Sequence, residues 1–386
     1  MRALIVCPEA PYPVRGGGSL RTAAMLEYLA RRYRLDAIFF AEVGSPDPRP
    51  LIPAGLVHDT ALIRLPRHSK SAPARLIRNL GRAVRGAPPL EDRFAGFDLA
   101  GALPGVRWDL CVVEHFWCAG YAAALRPRVD KLVLDLHNIE SALHGRYAET
   151  AGPLGPIHRR FSSSAGRLER ELLPLFDLVL TASEPDGARV RAYARRAEVY
   201  PNTVPLRDIV RPAPRHQIVF AGNMEYQPNI EAVRFFGRGV WPRLAAEHAG
   251  LEWVLLGRNP DAVRGLVAAL PRVRLTGEVE DALPEIAASR VAIAPILSGS
   301  GTRLKILEAW MAGTPVVSTV LGAEGLSYQD GEHLIAVDGA ARFGAAIGRL
   351  LGDPELAARI GQAGRSHCKR RFTWEAGWKA LERLGI

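Results

Sequence analysis

Short apolar runs alternate with helical patterns along the whole 386-residue chain. This alternation predicts repeated strand–helix–strand units and parallel sheets. The predicted strands of the first half lie at residues 3–7, 35–40, 61–65, 109–114, 132–136 and 178–182. Those of the second half lie at residues 218–221, 253–256, 273–276, 291–295 and 315–319. Both halves are therefore predicted to be Rossmann-like α/β domains, and the chain is long enough for two separate cores.

A proline-rich stretch separates the two halves. The segment PNTVPLRDIVRPAPRH, residues 201–216, has four prolines in sixteen positions, which predicts a linker. We therefore expect an N-terminal domain over residues 1–200 and a C-terminal domain over residues 217–372. The last segment, FTWEAGWKALERLGI, is expected to begin a helix near Thr373.

Composition narrows the class of protein. Hydrophobic residues make up 48% of the chain and charged residues 23%, as in a soluble globular protein. No apolar run approaches the roughly 18 residues of a spanning helix. The N-terminal MRALIVCPEAP is too short in apolar residues for a secretory signal and is typical of a first strand. A cytoplasmic location is expected.

Charge and cysteine usage limit the partners. The net charge is +10, which suits phosphate-bearing ligands or anionic surfaces. No Lys/Arg-rich run with interleaved aromatic residues occurs, so nucleic acid is not an expected partner. The four cysteines form no Cys-x-x-Cys pair, which argues against a disulfide framework and a zinc site.

A Gly/Ser loop followed by a helical repeat is the strongest functional signal. Ser300, Gly301 and Thr302 precede an apolar repeat that begins at residue 304, and Ser300 or Thr302 can cap the helix. Arg303 and Lys305 then lie in its first turn, where the macrodipole disfavours cations unless an anion is bound. Backbone N–H groups, glycines and two fixed cations suit a phosphate or diphosphate.

Glu308 extends this predicted site along the same helix. It lies three residues after Lys305, on nearly the same face and about 4.5 Å further along the axis. A carboxylate at that distance can accept hydrogen bonds from two ribose hydroxyls. An ordinary amphipathic helix with solvated Arg, Lys and Glu side chains accounts for the same spacing.

The string GTRLKILEAWMAGTPVVST, followed by GAEGL, resembles the nucleotide-sugar signature of the family 4 glycosyltransferases, in the subgroup with GTRLKILEA. The resemblance implies the GT-B fold, with two Rossmann-like parallel-sheet domains facing each other across a cleft. It implies that a C-terminal helix, residues 373–386, completes the N-terminal domain. The motif agreement with the family covers most of residues 215–370. The N-terminal half resembles the family only in its alternation of strands and helices.

The same resemblance implies a retaining hexosyltransferase. The donor would be a nucleotide-diphosphate sugar and the acceptor a glycan, a glycolipid or a small molecule, in cell-surface polysaccharide or glycolipid assembly. No cofactor is implied. Fixed positive charge near the departing diphosphate would stabilise the leaving group. No Asp-x-Asp occurs in the chain, so cations of the protein are expected to replace a bridging metal.

Two departures from the family pattern affect this interpretation. The family has two glutamates separated by seven residues; Glu308 matches the second, but Ser300 stands at the first position. The backbone at Gly301 and Thr302 must then contact the donor sugar, or the sugar preference differs. The usual lysine after the first C-domain strand is also missing, and Arg303 with Lys305 look like its replacement.

A histidine follows a predicted strand of the N-terminal half. His137 comes directly after residues 132–136, and ligands of open α/β sheets bind beyond the carboxyl ends of strands. His137 is therefore the leading acid/base or hydroxyl-positioning candidate, and the resemblance implies contact with the donor sugar. His115, beside Glu114, is the second candidate. A histidine satisfied by backbone hydrogen bonds remains the alternative.

Several turns are further candidates by resemblance. These residues are Gly17 and Gly18 for the diphosphate or the acceptor, Gly222 and Asn223 at a strand end, and Gly277 and Val279 for the nucleotide base. An ordinary turn is the alternative for each of them, a strand-to-helix turn in the case of Gly17 and Gly18.

Residues 74–85 have a basic face and an apolar face. The basic side chains are Arg75, Arg78, Arg82 and Arg85, and the apolar ones are Leu76, Ile77, Leu80 and Val84. Such a helix suits the surface of an anionic membrane. A solvated basic face on a helix that packs on the core is the alternative.

Two other functions share the same phosphate and ribose contacts. A nucleotide-sugar epimerase would need acid/base groups at the sugar and no acceptor. A non-enzymatic nucleotide-sugar sensor is suggested by the missing first glutamate. The sequence does not identify the sugar, the base or the acceptor.

Overall fold

The computed structural model describes residues 1–14, 17–69, 71–150, 152–299 and 304–386. Ser300, Gly301, Thr302 and Arg303 of the predicted phosphate site lie outside the described residues. The chain divides into two compact units, one formed by Met1–Pro201 with Ala380–Ile386 and the other by Asn202–Lys379.

The first unit contains a seven-stranded sheet with the order β3-β2-β1-β4-β5-β6-β7, and all its pairs are parallel. Its strands are β1 Arg2–Cys7, β2 Arg34–Glu42, β3 Asp59–Leu65, β4 Trp108–Glu114, β5 Val129–Leu136, β6 Leu178–Thr181 and β7 Ala197–Val199. Its helices are α1 Gly17–Ala30, α2 Ala72–Arg85, α3 Pro89–Phe94, α4 Leu99–Ala102, α5 Ala122–Leu125, α6 Glu140–Thr150, α7 Gly155–Leu172 and α8 Glu184–Val190.

The second unit contains a six-stranded parallel sheet with the order β10-β9-β8-β11-β12-β13. Its strands are β8 Arg215–Ala221, β9 Glu252–Leu256, β10 Val273–Gly277, β11 Ser289–Ala294, β12 Val316–Ser318 and β13 Ile335–Ala336. Its helices are α9 Gln227–Gly239, α10 Trp241–Glu247, α11 Asp261–Val267, α12 Leu283–Ala287, α13 Leu304–Met311, α14 Ala340–Gly352 and α15 Pro354–Arg371, followed by α16 Trp374–Arg383.

The predicted parallel α/β architecture is confirmed. Each of the eleven predicted strands overlaps an observed strand, with ends that differ by three residues or fewer. The sequence did not predict β7 and β13, because these strands have only three and two residues and are only half-buried. Their patterns are therefore too short and too polar to stand out.

Both faces of the second sheet are buried, which explains its almost wholly apolar strands. Successive side chains of a strand point to opposite faces. Ile218, Phe220, Val291 and Ile293 contribute to one core, and Val219, Ala221, Ala292 and Ala294 contribute to the other. Helices pack on each face, so neither core is open to water.

The end of the chain belongs to the first unit. The predicted C-terminal helix begins at Trp374, and residues 380–386 pack with the first sheet and its helices. The hydroxyl of Tyr28 donates to the carbonyl of Ile386. Lys131 Nζ donates to the carbonyls of Leu384 and Gly385, at 3.1 and 2.8 Å.

Helix α2 does not expose all four arginines of its predicted basic face. Arg82 is buried and its Nε lies 2.7 Å from a carboxylate oxygen of Asp92. Arg85 lies 3.0 Å from the other oxygen. The expectation that all four arginines are available to an anionic surface is therefore wrong for Arg82, because α3 brings Asp92 against α2. Ile77 and Val84 are 71% and 81% exposed.

Within the described residues, no helix combines the length and apolar character that crossing a bilayer requires. The four cysteines are free and buried. They are therefore small buried side chains in the two cores.

A group of buried carboxyl groups lies beside α6 in the first unit. Trp117 Nε1 donates to Glu140 Oε1 at 2.9 Å. Burial, with a contribution from the neighbouring Glu91, raises the pKa of Glu140 to about 8. Burial also raises the pKa of Glu91 to about 7. Glu140 is therefore protonated in the folded protein at pH values where the unfolded chain has lost that proton.

We predict that Glu140→Gln flattens the decrease of stability with rising pH. A folded-state pKa of about 8, above the ordinary carboxyl value, gives stability that is complete at low pH and is lost as the pH rises through that pKa. One such group lowers the free energy of unfolding by at most about 1.4 kcal/mol per pH unit.

Denaturant unfolding at several pH values between about 5.5 and 8 measures this slope. Glu171→Gln, at an exposed position of α7, is the matched control and should keep the wild-type slope. An identical slope in Glu140→Gln and the wild type would contradict the prediction.

Candidate active site

The polar side chains of the first unit meet at the carboxyl ends of β4 and β5. Glu114 is the last residue of β4, and His137 is the first residue after β5. Helix α1 faces them and contributes Arg21 and Thr22, both buried. Parallel strands end at the same edge of a sheet, so residues distant in sequence come together there.

His137 forms a short hydrogen bond with Glu114. Its Nε2 lies 2.6 Å from Glu114 Oε2, and Thr22 Oγ1 donates to the same oxygen at 3.0 Å. Burial raises the pKa of Glu114 to about 7, against the lowering effect of Arg21 and Thr22. Burial also lowers the pKa of His137 to about 3. The imidazole is therefore neutral near pH 7, and only one proton lies between the two side chains.

A buried ion pair lies next to this hydrogen bond. Arg21 Nε donates to Asp135 Oδ2 at 2.8 Å, and its NH2 donates to Oδ1. Its NH1 donates to the carbonyl of Tyr200 at 2.7 Å, and the guanidinium lies over the Tyr200 ring. Asp135 Oδ2 is 3.8 Å from His137 Nε2. The ion pair therefore brings both a carboxylate and a guanidinium close to the histidine, and these two groups have opposite effects on its pKa.

Three of these side chains are of the types that bind metal ions. Glu114, Asp135 and His137 bring potential ligand atoms within 4.8 Å of one another. However, Arg21 already donates to both oxygens of Asp135. A divalent ion there would have to displace the guanidinium and would meet its charge at close range. The donor set therefore fits a protein cation better than a metal ion.

His115 has a strained backbone conformation. Its φ of 64° and ψ of 145° lie in a region that is nearly restricted to glycine. The backbone N–H of His115 donates to the carbonyl of Asp135 at 2.9 Å, which holds this conformation. The ring packs between Trp117 and His137, with centroid distances of 4.1 and 3.5 Å. Such strain is concentrated at functional sites.

The first turn of α1 approaches both imidazoles. A Cβ atom added to Gly18 would lie 4.0 Å from His115 Nε2 and 4.0 Å from His137 Nδ1. Gly17 begins the helix. Two of the predicted N-terminal candidates, Gly18 and His137, are therefore neighbours in the structure, and His115 lies beside them.

In the second unit, Lys305 lies against the carboxyl end of β8. Its Nζ donates to Asn229 Oδ1 at 2.7 Å and lies 3.9 Å from the centroid of the Phe220 ring. A Cβ atom on Gly222 would lie 3.4 Å from the same nitrogen. Helix α13 thus brings Lys305 beside Gly222, the residue that follows β8.

Asn223 is held by two other amides. Asn229 Nδ2 donates to the carbonyl of Asn223, and Asn259 Nδ2 donates to Asn223 Oδ1, both at 2.8 Å. Asn229 therefore connects the loop after β8 with the ammonium group of Lys305. The side-chain oxygen of Asn223 already accepts a hydrogen bond inside the unit.

Glu308 lies one turn after Lys305 on α13 and is half-buried. Burial raises its pKa to about 7, while Lys305 lowers it and Asp281 raises it further. Among the described residues, none donates a hydrogen bond to its carboxylate. The carboxylate is therefore available to accept hydroxyl groups at neutral and higher pH. Val279, in the loop after β10, is 37% exposed.

Sequence reasoning missed Arg21, Asp135 and Asn229. An acidic residue inside the apolar strand LVLDL was the available signal for Asp135, because a buried charge requires a partner. The same argument requires a cation beside Asp135, and in the structure that cation is Arg21. No sequence pattern singled out Asn229.

The contact between the loops after β8 and β9 requires glycine at position 257. A Cβ atom there would lie 2.1 Å from the carbonyl oxygen of Gly222, and the φ of Gly257 is 137°. We predict that Gly257→Ala destabilises the protein by about 3 kcal/mol or more, through steric overlap and backbone strain.

Denaturant unfolding measures the loss. Gly265→Ala, in α11 where a Cβ meets nothing within 4 Å, is the control and should be neutral or stabilising by about 0.5–1 kcal/mol. Equal free energies of unfolding for the two variants would show that the close approach of Gly257 to the Gly222 carbonyl does not affect stability.

Solved structures share this fold over the whole chain. Sucrose-phosphate synthase from Thermosynechococcus elongatus is 17% identical with a TM-score of 0.70, and the alignment covers 100% of this chain and 98% of that chain. HepE of Anabaena, in complex with UDP and glucose, is 14% identical with a TM-score of 0.65, over 100% and 99% of the two chains. These similarities confirm the expected GT-B fold.

A family described as glycosyl transferases group 1 matches residues 215–353. The matched residues all lie in the second unit. The lipopolysaccharide core biosynthesis glycosyltransferase LpsE of Rhizobium meliloti is 36% identical over 109 residues, which are 27% of this chain and 31% of that protein. The chain matches only 20% to 36% of the length of its curated relatives.

Proposed function

We propose that this protein is a retaining glycosyltransferase that moves a sugar from a nucleotide-diphosphate sugar to an acceptor hydroxyl. The observation that carries the proposal is the position of Lys305 beside Gly222, within the region that matches the group 1 glycosyltransferases. A fixed ammonium at the carboxyl end of the first strand of that domain suits a phosphate group.

Leaving-group stabilisation is the main task of such a site. Negative charge grows on the diphosphate as the glycosidic bond breaks, and a preorganised cation is most effective in that state. The ammonium of Lys305 is held in place by Asn229 and the Phe220 ring. We therefore assign leaving-group stabilisation to Lys305 and, from the sequence, to Arg303, and we propose that the reaction needs no metal.

The remaining donor contacts follow from the sequence and the local structure. Glu308 offers a carboxylate one turn after Lys305, which suits two ribose hydroxyls. Gly222, Asn223 and Val279 lie in loops after strands of the second sheet, and we propose that they contact the phosphates and the base. Ser300, Gly301 and Thr302 are proposed to contact the donor through their backbone.

In the first unit we assign sugar binding to the histidine site. His137 is neutral near pH 7, so its ring nitrogen Nδ1 can exchange a hydrogen bond with a hydroxyl group. Gly17 and Gly18 lie in the first turn of α1, and Gly18 is close enough for backbone contact with the same ligand. Retention of anomeric configuration is proposed from the resemblance of residues 297–325, and the configuration of an isolated product tests it.

The acceptor class is proposed from the relatives. LpsE is named for lipopolysaccharide core biosynthesis, and we propose a related role in cell-surface polysaccharide or glycolipid assembly, on the cytoplasmic face of the membrane. The exposed apolar row of α2, with Ile77 and Val84, supports membrane contact. The exposed Arg75 adds attraction to anionic lipid.

Incubation with a panel of sugar nucleotides tests the proposed reaction. Hydrolysis of the donor or transfer of its sugar supports a transferase. A changed sugar on an intact diphosphate would indicate an epimerase, and binding without turnover would indicate a sensor. Full activity in excess EDTA is expected if protein cations replace a metal.

We predict that Lys305→Ala lowers kcat by about 100- to 1000-fold, the usual cost of losing one preorganised partner of a developing anion. Lys305→Arg should recover only part, because a planar guanidinium does not fit the site of an ammonium without moving.

Steady-state kinetics, with circular dichroism to confirm folding, measures these effects. Lys369→Ala is the matched control, since Lys369 is on the surface near Asp208, and it should keep the wild-type kcat. A folded Lys305→Ala variant with the wild-type kcat would rule out the phosphate assignment for Lys305.

We predict that replacing Ile77 and Val84 together by Gln weakens binding to anionic vesicles at least about tenfold, because these side chains would otherwise bury apolar surface in the bilayer. Arg75→Gln should remove about 1 kcal/mol of attraction, and this loss should disappear at high salt.

Co-sedimentation with phosphatidylglycerol vesicles measures both effects. Val210→Gln, at a side chain that is 93% exposed outside α2, is the control and should bind as the wild type does. Unchanged binding of the Ile77/Val84 variant would favour a plain solvated helix.

A further inference from the structure

Glu114 has an unusual position within the histidine site. It is fully buried, and a single oxygen, Oε2, meets both Thr22 Oγ1 and His137 Nε2. The other oxygen, Oε1, is buried and has no hydrogen-bond partner among the described residues. A buried carboxyl that leaves one oxygen unsatisfied is costly for stability. That cost indicates a role beyond packing.

Building on the proposed function, we propose that Glu114 is a positioning residue that decides which nitrogen of His137 carries the proton. In the same proposal, His137 Nδ1 and His115 Nε2 together hold a sugar hydroxyl beside Gly18. The role of Glu114 is exerted through His137, without contact with the ligand.

The hydrogen bond leaves two possible proton positions. When Glu114 is ionised, it accepts a hydrogen bond from His137 Nε2–H, so Nδ1 has a free lone pair and accepts from a hydroxyl. When Glu114 is protonated, it donates to Nε2, so Nδ1 carries the proton and donates. In both states Nε2 is occupied and Nδ1 is the nitrogen left for a ligand.

Charged and titratable side chains from several elements surround the Glu114–His137 pair. Arg21 from α1 and Asp135 from β5 form an ion pair beside it, and the His115 ring packs against the His137 ring. The buried thiols of Cys7 and Cys118 also lie near Glu114, and burial raises the pKa of both. With the pKa of Glu114 at about 7 and that of His137 at about 3, the proton leaves Glu114 first as the pH rises.

Two independent features of the backbone point to a ligand at Gly18. His115 is held in a strained conformation, which directs its ring onto His137. Its Nε2 and the Nδ1 of His137 are equally distant, at 4.0 Å, from a Cβ position on Gly18. None of the described residues forms a hydrogen bond with either nitrogen. The space over Gly18 is thus bordered by two nitrogens that can each bind a hydroxyl.

Nitrogen-15 NMR of histidine-labelled protein tests the role of Glu114 directly. In the wild type we expect His137 Nε2 to carry the proton at about pH 8.5 and Nδ1 to carry it at about pH 5.5. In Glu114→Gln this pH response should disappear, because the amide does not titrate. Glu91→Gln, at another buried carboxyl with a raised pKa, is the matched control and should keep the wild-type response.

Two results would overturn the role of Glu114. One is a His137 proton position that stays the same from about pH 5.5 to 8.5 in the wild type. The other is an unchanged pH response in Glu114→Gln. This measurement needs no substrate, so it remains decisive even if the protein proves to have no transferase activity.

Gly18→Ala tests the hydroxyl site. The added methyl makes only ordinary contacts, so the variant should fold, but the methyl occupies the space between the two nitrogens. If the hydroxyl belongs to the donor sugar, the Kd for UDP-glucose should rise about 3- to 10-fold, the value of one hydrogen bond, with the Kd for UDP unchanged. If it belongs to the acceptor, only the acceptor KM should rise.

Unchanged values for both ligands would overturn the hydroxyl site. A wild-type protein that binds no nucleoside diphosphate or sugar nucleotide would instead refute the proposed function. In that case the NMR result alone decides whether Glu114 positions the proton of His137.

Discussion

Parallel strand pairing is the constraint on which the rest of this structure depends. It buries both faces of each sheet, so the strands must be apolar and the polar residues are displaced to the strand ends. It also brings every carboxyl end to one edge of the sheet. Glu114 and His137 in the first unit, and Gly222 in the second, lie just at or beyond such ends. The chemistry of the protein is therefore concentrated where the backbone leaves the sheet.

Burial makes the polar groups at these edges depend on one another. A charge removed from water requires a partner of opposite charge or several hydrogen bonds. Arg21 and Asp135 satisfy that need directly. Glu114 and His137 satisfy it through the hydrogen bond between them, and the histidine stays neutral near pH 7. Because the two pairs are adjacent, a change at either one alters the electrostatic environment of the other.

The two units use different chemistry at comparable places. In the first, neutral imidazoles border a glycine on a helix, which suits uncharged hydroxyl groups. In the second, a lysine lies beside a glycine at a strand end, which suits a phosphate. Two uncharged groups, Asn229 and the Phe220 ring, contact the ammonium of Lys305.

The sequence by itself determined the parallel α/β architecture and the position of almost every strand, because apolar runs and helical periodicity are local signals. It also singled out His137, Lys305 and Glu308, since each follows from a spacing or a motif. Only the tertiary structure decided three contacts. Glu114 forms a hydrogen bond with His137, Arg21 pairs with Asp135, and Arg82 pairs with Asp92. These contacts join residues far apart in the chain, and their energies depend on burial and distance, which a linear pattern does not contain.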